Sequence, residues 1–223
     1  MTGADADSTQ SGDGQRPPQC VIVAGPNGAG KTTTAAALAS EWLGVHRIVN
    51  ADEIAEGLSG APELGALEAG KLALRAQAKY IEQRQDFALE TTLSGRRWIR
   101  LLDALETAGY RVTLIYLWVS DPALCIARVQ MRVMLGGHGV PEDDIRRRYD
   151  SGLVNFRQIF APRVSSWRVT DANAAPGGEL RYVAHGGRGL ATTIEAPEAW
   201  AQMDVVTRAA IERMQIHPKP PVS

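Results

Sequence analysis

The sequence has few cysteines and almost no net charge. Its 223 residues include two cysteines, Cys20 and Cys125, which can form at most one disulfide and have no Cys or His neighbour at zinc-ligand spacing. We therefore expect a reducing, cytoplasmic environment. Lys and Arg total 24 against 25 Asp and Glu, and no long basic run is present. This balance argues against binding to a nucleic-acid backbone.

Long hydrophobic runs are also missing. The longest strongly apolar run, residues 112–119, is far shorter than the roughly 20 residues that cross a bilayer, and the first residues show no signal-peptide core. We expect neither membrane binding nor export. Residues 1–19 contain no Leu, Ile, Val, Phe, Tyr or Trp and are predicted to be a disordered tail. Residues 217–223 carry three prolines and are predicted to be flexible, which leaves one domain over 20–216.

Within that domain, short apolar runs alternate with segments of helical period. Strands are predicted at residues 20–24, 47–50, 87–90, 112–119, 167–170 and 181–184. Helices are predicted at residues 31–42, 64–81, 97–107 and 197–215, with two further helices beginning at 122 and 141. This alternation indicates a three-layer α/β/α fold with a mainly parallel central sheet. Residues 174–190 are compatible with a loop, a hairpin or a partner surface.

A glycine-rich segment between the first strand and the first helix matches the pattern G-x-x-x-x-G-K-[ST]. It consists of Gly25, Pro26, Asn27, Gly28, Ala29, Gly30, Lys31 and Thr32, followed by Thr33. Glycines let backbone N–H groups turn toward phosphate oxygens, and the helix N-terminus adds positive charge. Lys31 is expected to reach the β and γ phosphates and the Thr32 hydroxyl to bind Mg²⁺. The segment predicts binding of ATP or GTP with magnesium rather than an ordinary surface turn.

Three acids follow predicted strands, at the sheet edge where α/β proteins bind ligands. Asp52 is placed either to accept a proton from a hydroxyl that attacks the γ-phosphate or to cap a short helix. Glu90, which precedes Thr91 and Thr92, either holds substrate or Mg²⁺ or is simply solvated. Asp121 precedes a proline, and we interpret it as a helix cap.

Two arginines lie on one face of the helix that begins at residue 122. Arg128 and Arg132 are four residues apart, and no acid lies at i−4 from either of them. Because like charges at this spacing repel, we expect an anion between them. In phosphoryl transfer, arginines commonly stabilise the negative charge on the transferring group.

The glycine-rich turn around His138 joins this helix to the next one. We predict a lid over residues 128–148, with His138 either solvated or in contact with substrate when the lid closes. Arginines 146–148 have acids at 142–144 within one helical turn. Pairing with these acids explains the arginines without a functional role.

In this order the motifs resemble the zeta toxin family of P-loop kinases, in particular its compact branch. The resemblance spans residues 21–173 and rests on the segments 25–33, 50–53, 90–95, 128–132 and 136–149. One departure is Asp171-Ala172-Asn173, where the compact branch often has Asp-Asn-Ser. The resemblance implies a kinase that phosphorylates the 3′-hydroxyl of UDP-N-acetylglucosamine and is neutralised by an antitoxin.

The resemblance also implies roles by position. Lys31 and Thr32 handle phosphate and metal, Asp52 is the base, Glu90 and Thr92 contact substrate, and Arg128 or Arg132 contacts the γ-phosphate.

Two alternatives have no small-molecule acceptor. Residues 93–97 partly mimic the signature loop of transporter ATPases, but the apolar strand ending in Asp-Glu that should follow is missing. A nucleotide-binding regulatory protein without turnover is the other alternative, and it leaves Asp52 and the arginine pair without a task.

Overall fold

The computed structural model describes residues 16–35, 48–49, 62–174 and 181–216. The strands are β1 (Gln19–Ala24), β2 (Ile48–Val49), β3 (Phe87–Thr91), β4 (Arg111–Trp118), β5 (Ser166–Asp171), β6 (Arg181–Gly187) and β7 (Leu190–Ile194). The helices are α1 (Pro62–Glu82), α2 (Arg96–Thr107), α3 (Pro122–Met134), α4 (Glu142–Asn155) and α5 (Pro197–Ile216). Residues 31–35 are also helical, and a π-helical turn, Phe156–Phe160, continues α4.

The strands form one sheet in the order β2-β3-β1-β4-β5-β6-β7. Neighbours from β2 to β5 run parallel, whereas β5–β6 and β6–β7 are antiparallel. Consecutive residues of β1 and of β4 are buried, which requires cover on both faces of the sheet. The predicted three-layer α/β/α fold with a mainly parallel sheet is therefore confirmed.

Most predicted elements coincide with observed ones. β3, β4 and β5 and the helices α1, α2 and α5 lie within two residues of the predicted bounds. The predicted first helix, 31–42, is described only as far as residue 35. Gln19, which the sequence assigned to the amino-terminal tail, is the first residue of β1, and its N–H donates to Asp86 Oδ1 at 2.8 Å.

The sequence did not predict β7. This strand forms a hairpin with β6 through a turn at Gly189, whose φ is +73°. All five residues of β7 are exposed, so no alternation of buried and exposed side chains marks it as a strand. The sequence left a loop, a hairpin or a partner surface open for residues 174–190. The structure shows that residues 181–190 include the first strand and the turn of a hairpin.

The order of the strands sets what meets at the carboxyl edge of the sheet. Ala24, the last residue of β1, is paired with Thr91 of β3 on one side and Tyr116 of β4 on the other. The segments that follow these three strands are therefore neighbours. Cys20 and Cys125 are both buried free thiols. None of the described helices combines the length and hydropathy of a membrane span.

Candidate active site

The glycine-rich segment follows β1 directly and turns sharply at Gly28. Gly28 has a φ of +77°, and a Cβ placed on it would lie 2.7 Å from the Cys125 carbonyl oxygen. A side chain at this position is therefore excluded by both backbone conformation and space. The turn is closed by a hydrogen bond in which Ala29 N–H donates to Pro26 O at 3.2 Å. Gly25 N–H donates to Thr91 O at 3.2 Å and so ties the segment to β3.

Lys31 lies over this turn, with Nζ donating to Pro26 O at 2.9 Å. Asn27 is 9% exposed, and its Oδ1 atom is buried without a hydrogen-bond partner. Gly30 has a φ of +84° and directly precedes the helical residues 31–35. The segment thus has the strand–loop–helix context that the phosphate-loop motif requires.

Thr32 and Glu90 meet in front of the phosphate loop. Thr32 Oγ1 donates to Glu90 Oε2 at 3.2 Å, and Thr32 and Thr33 are both exposed on the first helical turn. A hydroxyl and a carboxylate are the hard oxygen donors that Mg²⁺ prefers. The described residues contain no cluster of three His, Cys, Asp or Glu side chains suited to a metal.

The segment after β3 contains an unusual backbone conformation. Leu93 has a φ of +55° although it is not glycine, and its side chain is completely buried. This left-handed geometry costs an L-residue about 1–2 kcal/mol. Leu93 N–H donates to Thr91 Oγ1 at 2.8 Å, and Asn155 Nδ2 donates to Leu93 O at 2.6 Å. On either side of Leu93, the Thr92 and Ser94 hydroxyls are 2.8 Å apart.

The guanidinium group of Arg128 is occupied by backbone carbonyls. Nη1 donates to Ala172 O at 2.7 Å and to Gly28 O at 3.4 Å, and Nη2 donates to Asn173 O at 2.7 Å and to Ala174 O at 2.6 Å. The sequence argument considered only acids on the same helix and did not predict these carbonyl partners, and the anion expected between Arg128 and Arg132 stays a prediction. Arg128 connects the phosphate loop to the segment after β5.

The segment after β5 is held by a second set of contacts around Asn173. Asn173 Oδ1 accepts hydrogen bonds from Ser120 N–H at 2.9 Å and from Ser120 Oγ at 2.8 Å. Asn173 Nδ2 and N–H donate to Asp171 Oδ1 at 2.7 and 2.8 Å. Asn173 and Ser120 were not among the predicted site residues. The sequence signal for Asn173 is the segment Asp171-Ala172-Asn173, which stands where the compact branch often has Asp-Asn-Ser.

The turn after α3 is closed by Arg132. Its Nε and Nη2 atoms donate to the His138 carbonyl at 3.1 and 2.7 Å. Both residues are exposed. The prediction that arginines 146–148 pair with nearby acids is confirmed: Arg146 pairs with Glu142, and Arg147 and Arg148 pair with Asp144. Arg147 and Asp144 are three residues apart, whereas the other two pairs are four residues apart.

Of the acids predicted at the strand ends, Asp121 lies in the described part of the chain and Asp52 does not. Asp121 Oδ1 accepts a hydrogen bond from Ala123 N–H at 2.7 Å, which confirms the predicted helix cap of α3. Asp52 lies outside the described residues, and its role stays a prediction. β2 ends at Val49, paired with Leu89, and Leu89 immediately precedes Glu90.

Two buried groups beside the loop do not serve as acids or bases at neutral pH. Burial raises the pKa of the Cys125 thiol to about 11, although Lys31 and Arg128 act to lower it. Burial also raises the pKa of Tyr149, whose hydroxyl donates to Val119 O at 2.7 Å. The Cys125 thiol is therefore a neutral buried group, and the Tyr149 hydroxyl is a neutral hydrogen-bond donor.

A glycine-rich strand–loop–helix unit at the carboxyl edge of a mainly parallel sheet defines a P-loop nucleotide-binding protein. The family model for zeta toxins matches residues 4–171, which is well over half of the chain. The chain belongs to the zeta toxin family, as the motifs had indicated. Family membership and the phosphate loop together give it a kinase-like, nucleotide-binding function.

The chain is also similar to individual proteins and solved structures. An uncharacterized protein of Haemophilus influenzae is 30% identical over 132 residues, which is 59% of this chain and 92% of that protein. The structure of the AvrRxo1-ORF1:-ORF2 complex with ATP is similar with a TM-score of 0.65 at 20% identity, covering 85% of this chain and 63% of that one. This chain therefore spans less than two thirds of that neighbour.

The PezAT toxin-antitoxin system of Streptococcus pneumoniae is similar with a TM-score of 0.56 at 16% identity, covering 93% of this chain and 91% of that one. At these identities, the structural neighbours show the fold.

Proposed function

We propose that this protein transfers the γ-phosphate of ATP to a hydroxyl group of a UDP-sugar, with UDP-N-acetylglucosamine as the first candidate. The observation that carries the proposal is the 3.2 Å contact between Thr32 of the phosphate loop and Glu90. This contact joins Thr32, which is proposed to bind phosphate and metal, to Glu90, which begins the segment that the family motif assigns to substrate. Nucleotide and acceptor would then meet at one edge of the sheet.

The phosphate-loop residues are suited to hold the nucleotide. The turn at Gly28 leaves no room for a side chain, and Lys31 Nζ already lies over the loop at Pro26 O. When a phosphate is bound, the Lys31 ammonium can exchange this carbonyl for a phosphate oxygen, which is the stronger, charge-assisted partner.

Thr32 and Glu90 would hold magnesium, which neutralises charge on the phosphates when it is bound. Both side chains offer oxygen atoms, and the Thr32 hydroxyl is exposed. Glu90 can act directly or through a water molecule, as Mg²⁺ usually keeps several waters. Thr92, two residues further on, is proposed to contact the acceptor.

Asp52 is proposed as the general base. It follows β2, which is the neighbour of β3 in the sheet, and the family motif places the base there. A carboxylate in this position would orient the acceptor hydroxyl and take its proton as the phosphoryl group transfers.

The lid over 128–148 is proposed to supply the positive charge for the transferring group. Arg132 is better placed for this than Arg128, because Arg132 holds one exposed carbonyl whereas Arg128 holds the carbonyls of two segments. His138 would approach substrate together with this turn. A protein antitoxin as partner and a cytoplasmic location follow from the family and remain part of the proposal.

The test is incubation of the full chain with ATP, magnesium and a panel of UDP-sugars, read by mass spectrometry. We expect a gain of one phosphate on UDP-N-acetylglucosamine. Free phosphate without a phosphorylated acceptor would instead support an ATPase. Asp52→Asn is expected to reduce transfer by about 100-fold or more and to leave ATP affinity within about twofold of the wild type. Normal turnover in this variant would refute the assignment of the base.

A further inference from the structure

The conformation of the segment after β3 depends on a contact from a distant helix. Leu93 adopts a left-handed φ of +55°, and its side chain is fully buried. A leucine seldom takes this conformation, and such geometry persists only when the surrounding structure enforces it. Strain of this kind is concentrated at functional sites. The groups that enforce it therefore help to determine the shape of the site.

Two hydrogen bonds hold the peptide groups on either side of Leu93. Thr91 Oγ1 accepts from Leu93 N–H at 2.8 Å, within the segment itself. Asn155 Nδ2 donates to Leu93 O at 2.6 Å, and this residue is the last one of α4, 62 positions away. Asn155 is therefore the side chain that holds the Leu93 carbonyl from outside the segment.

The position of Asn155 is itself fixed by close packing. A Cβ at Gly152, one helical turn earlier, would lie 2.2 Å from Thr92 O, so α4 approaches the segment as closely as backbone atoms allow. Phe156, the next residue, is fully buried and stacks on Tyr116 with 4.5 Å between ring centroids. The π-helical turn also begins at Phe156, and such turns often occur at functional sites.

We infer that Asn155 is a positioning residue for the acceptor. Asn155 holds the Leu93 carbonyl and thereby fixes Thr92 and Ser94, whose hydroxyls are 2.8 Å apart. This inference rests on the proposed function, in which Thr92 contacts the acceptor. Among the described residues, Asn155 makes no hydrogen bond to the phosphate loop or to the segment after β5. We therefore expect loss of its amide to change acceptor binding more than nucleotide binding.

The experiment compares Asn155→Ala and Asn155→Asp with the wild type in steady-state kinetics. UDP-N-acetylglucosamine is the acceptor probe, and a separate titration measures the Kd for ATP. Asparagine and aspartate have nearly the same shape, but a carboxylate cannot donate the hydrogen bond. We expect both variants to lower kcat/KM for the acceptor about tenfold, with the Kd for ATP within twofold. Asn155→Gln, which keeps the donor, is expected to recover part of the loss.

Thr91→Val is a second variant that removes the other hydrogen bond without changing the shape of the side chain. It is expected to act in the same direction. Thr207→Ala is the matched control, because Thr207 Oγ1 donates to Met203 O at 2.7 Å within α5 in a buried position. This control is expected to reduce Tm as Asn155→Ala does but to keep both kinetic constants within twofold.

The outcomes separate this inference from the function on which it rests. Equal changes in ATP affinity and acceptor kinetics, or no change in either, would overturn the positioning role. If the wild type does not phosphorylate the probe, the proposed acceptor is wrong, and hydrogen exchange then decides the inference. Faster exchange confined to amides 92–95 in Asn155→Ala supports it, whereas unchanged exchange at these amides refutes it.

Discussion

Two segments flank the phosphate loop at the carboxyl edge of the sheet, and they are held in different ways. The segment after β5 is held by a charged guanidinium group that binds three consecutive carbonyls. The segment after β3 is held by one neutral amide, on the carbonyl of a residue with left-handed geometry. Both anchors are made to backbone carbonyls, but the first is spread over three of them and needs no unusual conformation. The second depends on one residue and one conformation.

This difference suggests a division of tasks. Because Arg128 also donates to Gly28 O in the phosphate loop, we propose that the segment after β5 belongs to the nucleotide side, where a charge-assisted set of hydrogen bonds keeps it rigid. A single neutral bond with a nearby glycine contact is easily changed, which suits the side that selects the acceptor.

Gly28→Ala is expected to have the largest effect, because it alters the loop that both segments flank. The new Cβ would lie 2.7 Å from the Cys125 carbonyl oxygen in a residue with a φ of +77°. We expect ATP affinity to fall about 100-fold or more, since the loop must move to admit the methyl group. Titration with ATP measures this loss.

Gly136→Ala is the matched control for that variant. Gly136 also has a positive φ, +89°, but a Cβ there would have no atom within 4 Å. This change is expected to cost about 1 kcal/mol of stability and to leave ATP affinity within twofold. Similar losses of affinity in both variants would show that backbone strain, and not the clash with Cys125, is responsible.

Gly152→Ala tests the acceptor side in the same way. Its Cβ would lie 2.2 Å from Thr92 O, so α4 and the segment after β3 must separate. Alanine favours a helix over glycine by about 1 kcal/mol, but the overlap costs about 1–3 kcal/mol. We expect lower stability in denaturant unfolding and an acceptor KM raised about tenfold, with unchanged ATP affinity. Equal effects on ATP and acceptor would contradict separate anchoring of the two segments.

Arg128→Lys tests the nucleotide side. Lysine keeps the charge but cannot reach several carbonyls as a planar guanidinium does. We expect the KM for ATP to rise about tenfold, since hydrogen bonds from a charged group are worth about 1.5–3 kcal/mol each, and the acceptor KM to stay within twofold. Arg132→Lys serves as the comparison: if Arg132 contacts the transferring phosphate, kcat falls and the KM for ATP does not rise. The reverse pattern in the two variants would exchange their roles.

The sequence predicted the sheet and the phosphate loop because both leave local signals. Apolar runs mark β1, β3 and β4, and a fixed spacing of glycine, lysine and threonine marks the loop. The fully exposed β7 has no such pattern. The partners of Arg128 were also out of reach, because a carbonyl acceptor is common to all residues and these lie 44 to 46 positions away.

Asn155 could not be found from the sequence for the same reason. The left-handed conformation of Leu93 comes from tertiary packing against α4, and leucine gives no hint of it. An asparagine next to an apolar run is weak evidence by itself. The residues that contact ligands in this family follow motifs, whereas the residues that position them are defined only by the folded structure.

The exposed face of α4 carries ion pairs and includes neither Arg128 nor Asn155. A substitution there is expected to change stability only slightly. Hydrogen bonding to Arg147 lowers the pKa of the Asp144 carboxyl in the folded chain. Because the pKa is lower in the folded than in the unfolded chain, the pair adds stability above the unfolded pKa. That contribution is lost as pH falls through the folded pKa. Both partners are exposed, so screening by solvent keeps the contribution small.

Arg147→Gln, which preserves helix propensity, is therefore expected to lower the free energy of unfolding by about 0.3 kcal/mol at pH 7. The difference from the wild type should shrink as pH falls through the folded pKa of the Asp144 carboxyl, which lies below its unfolded value. Denaturant unfolding at pH 7 and at a series of lower pH values measures it, with both KM values expected to stay unchanged. A raised acceptor KM in this variant would mean that the exposed face of α4 also positions the segment after β3, and that Gly152 and Asn155 do not do so alone.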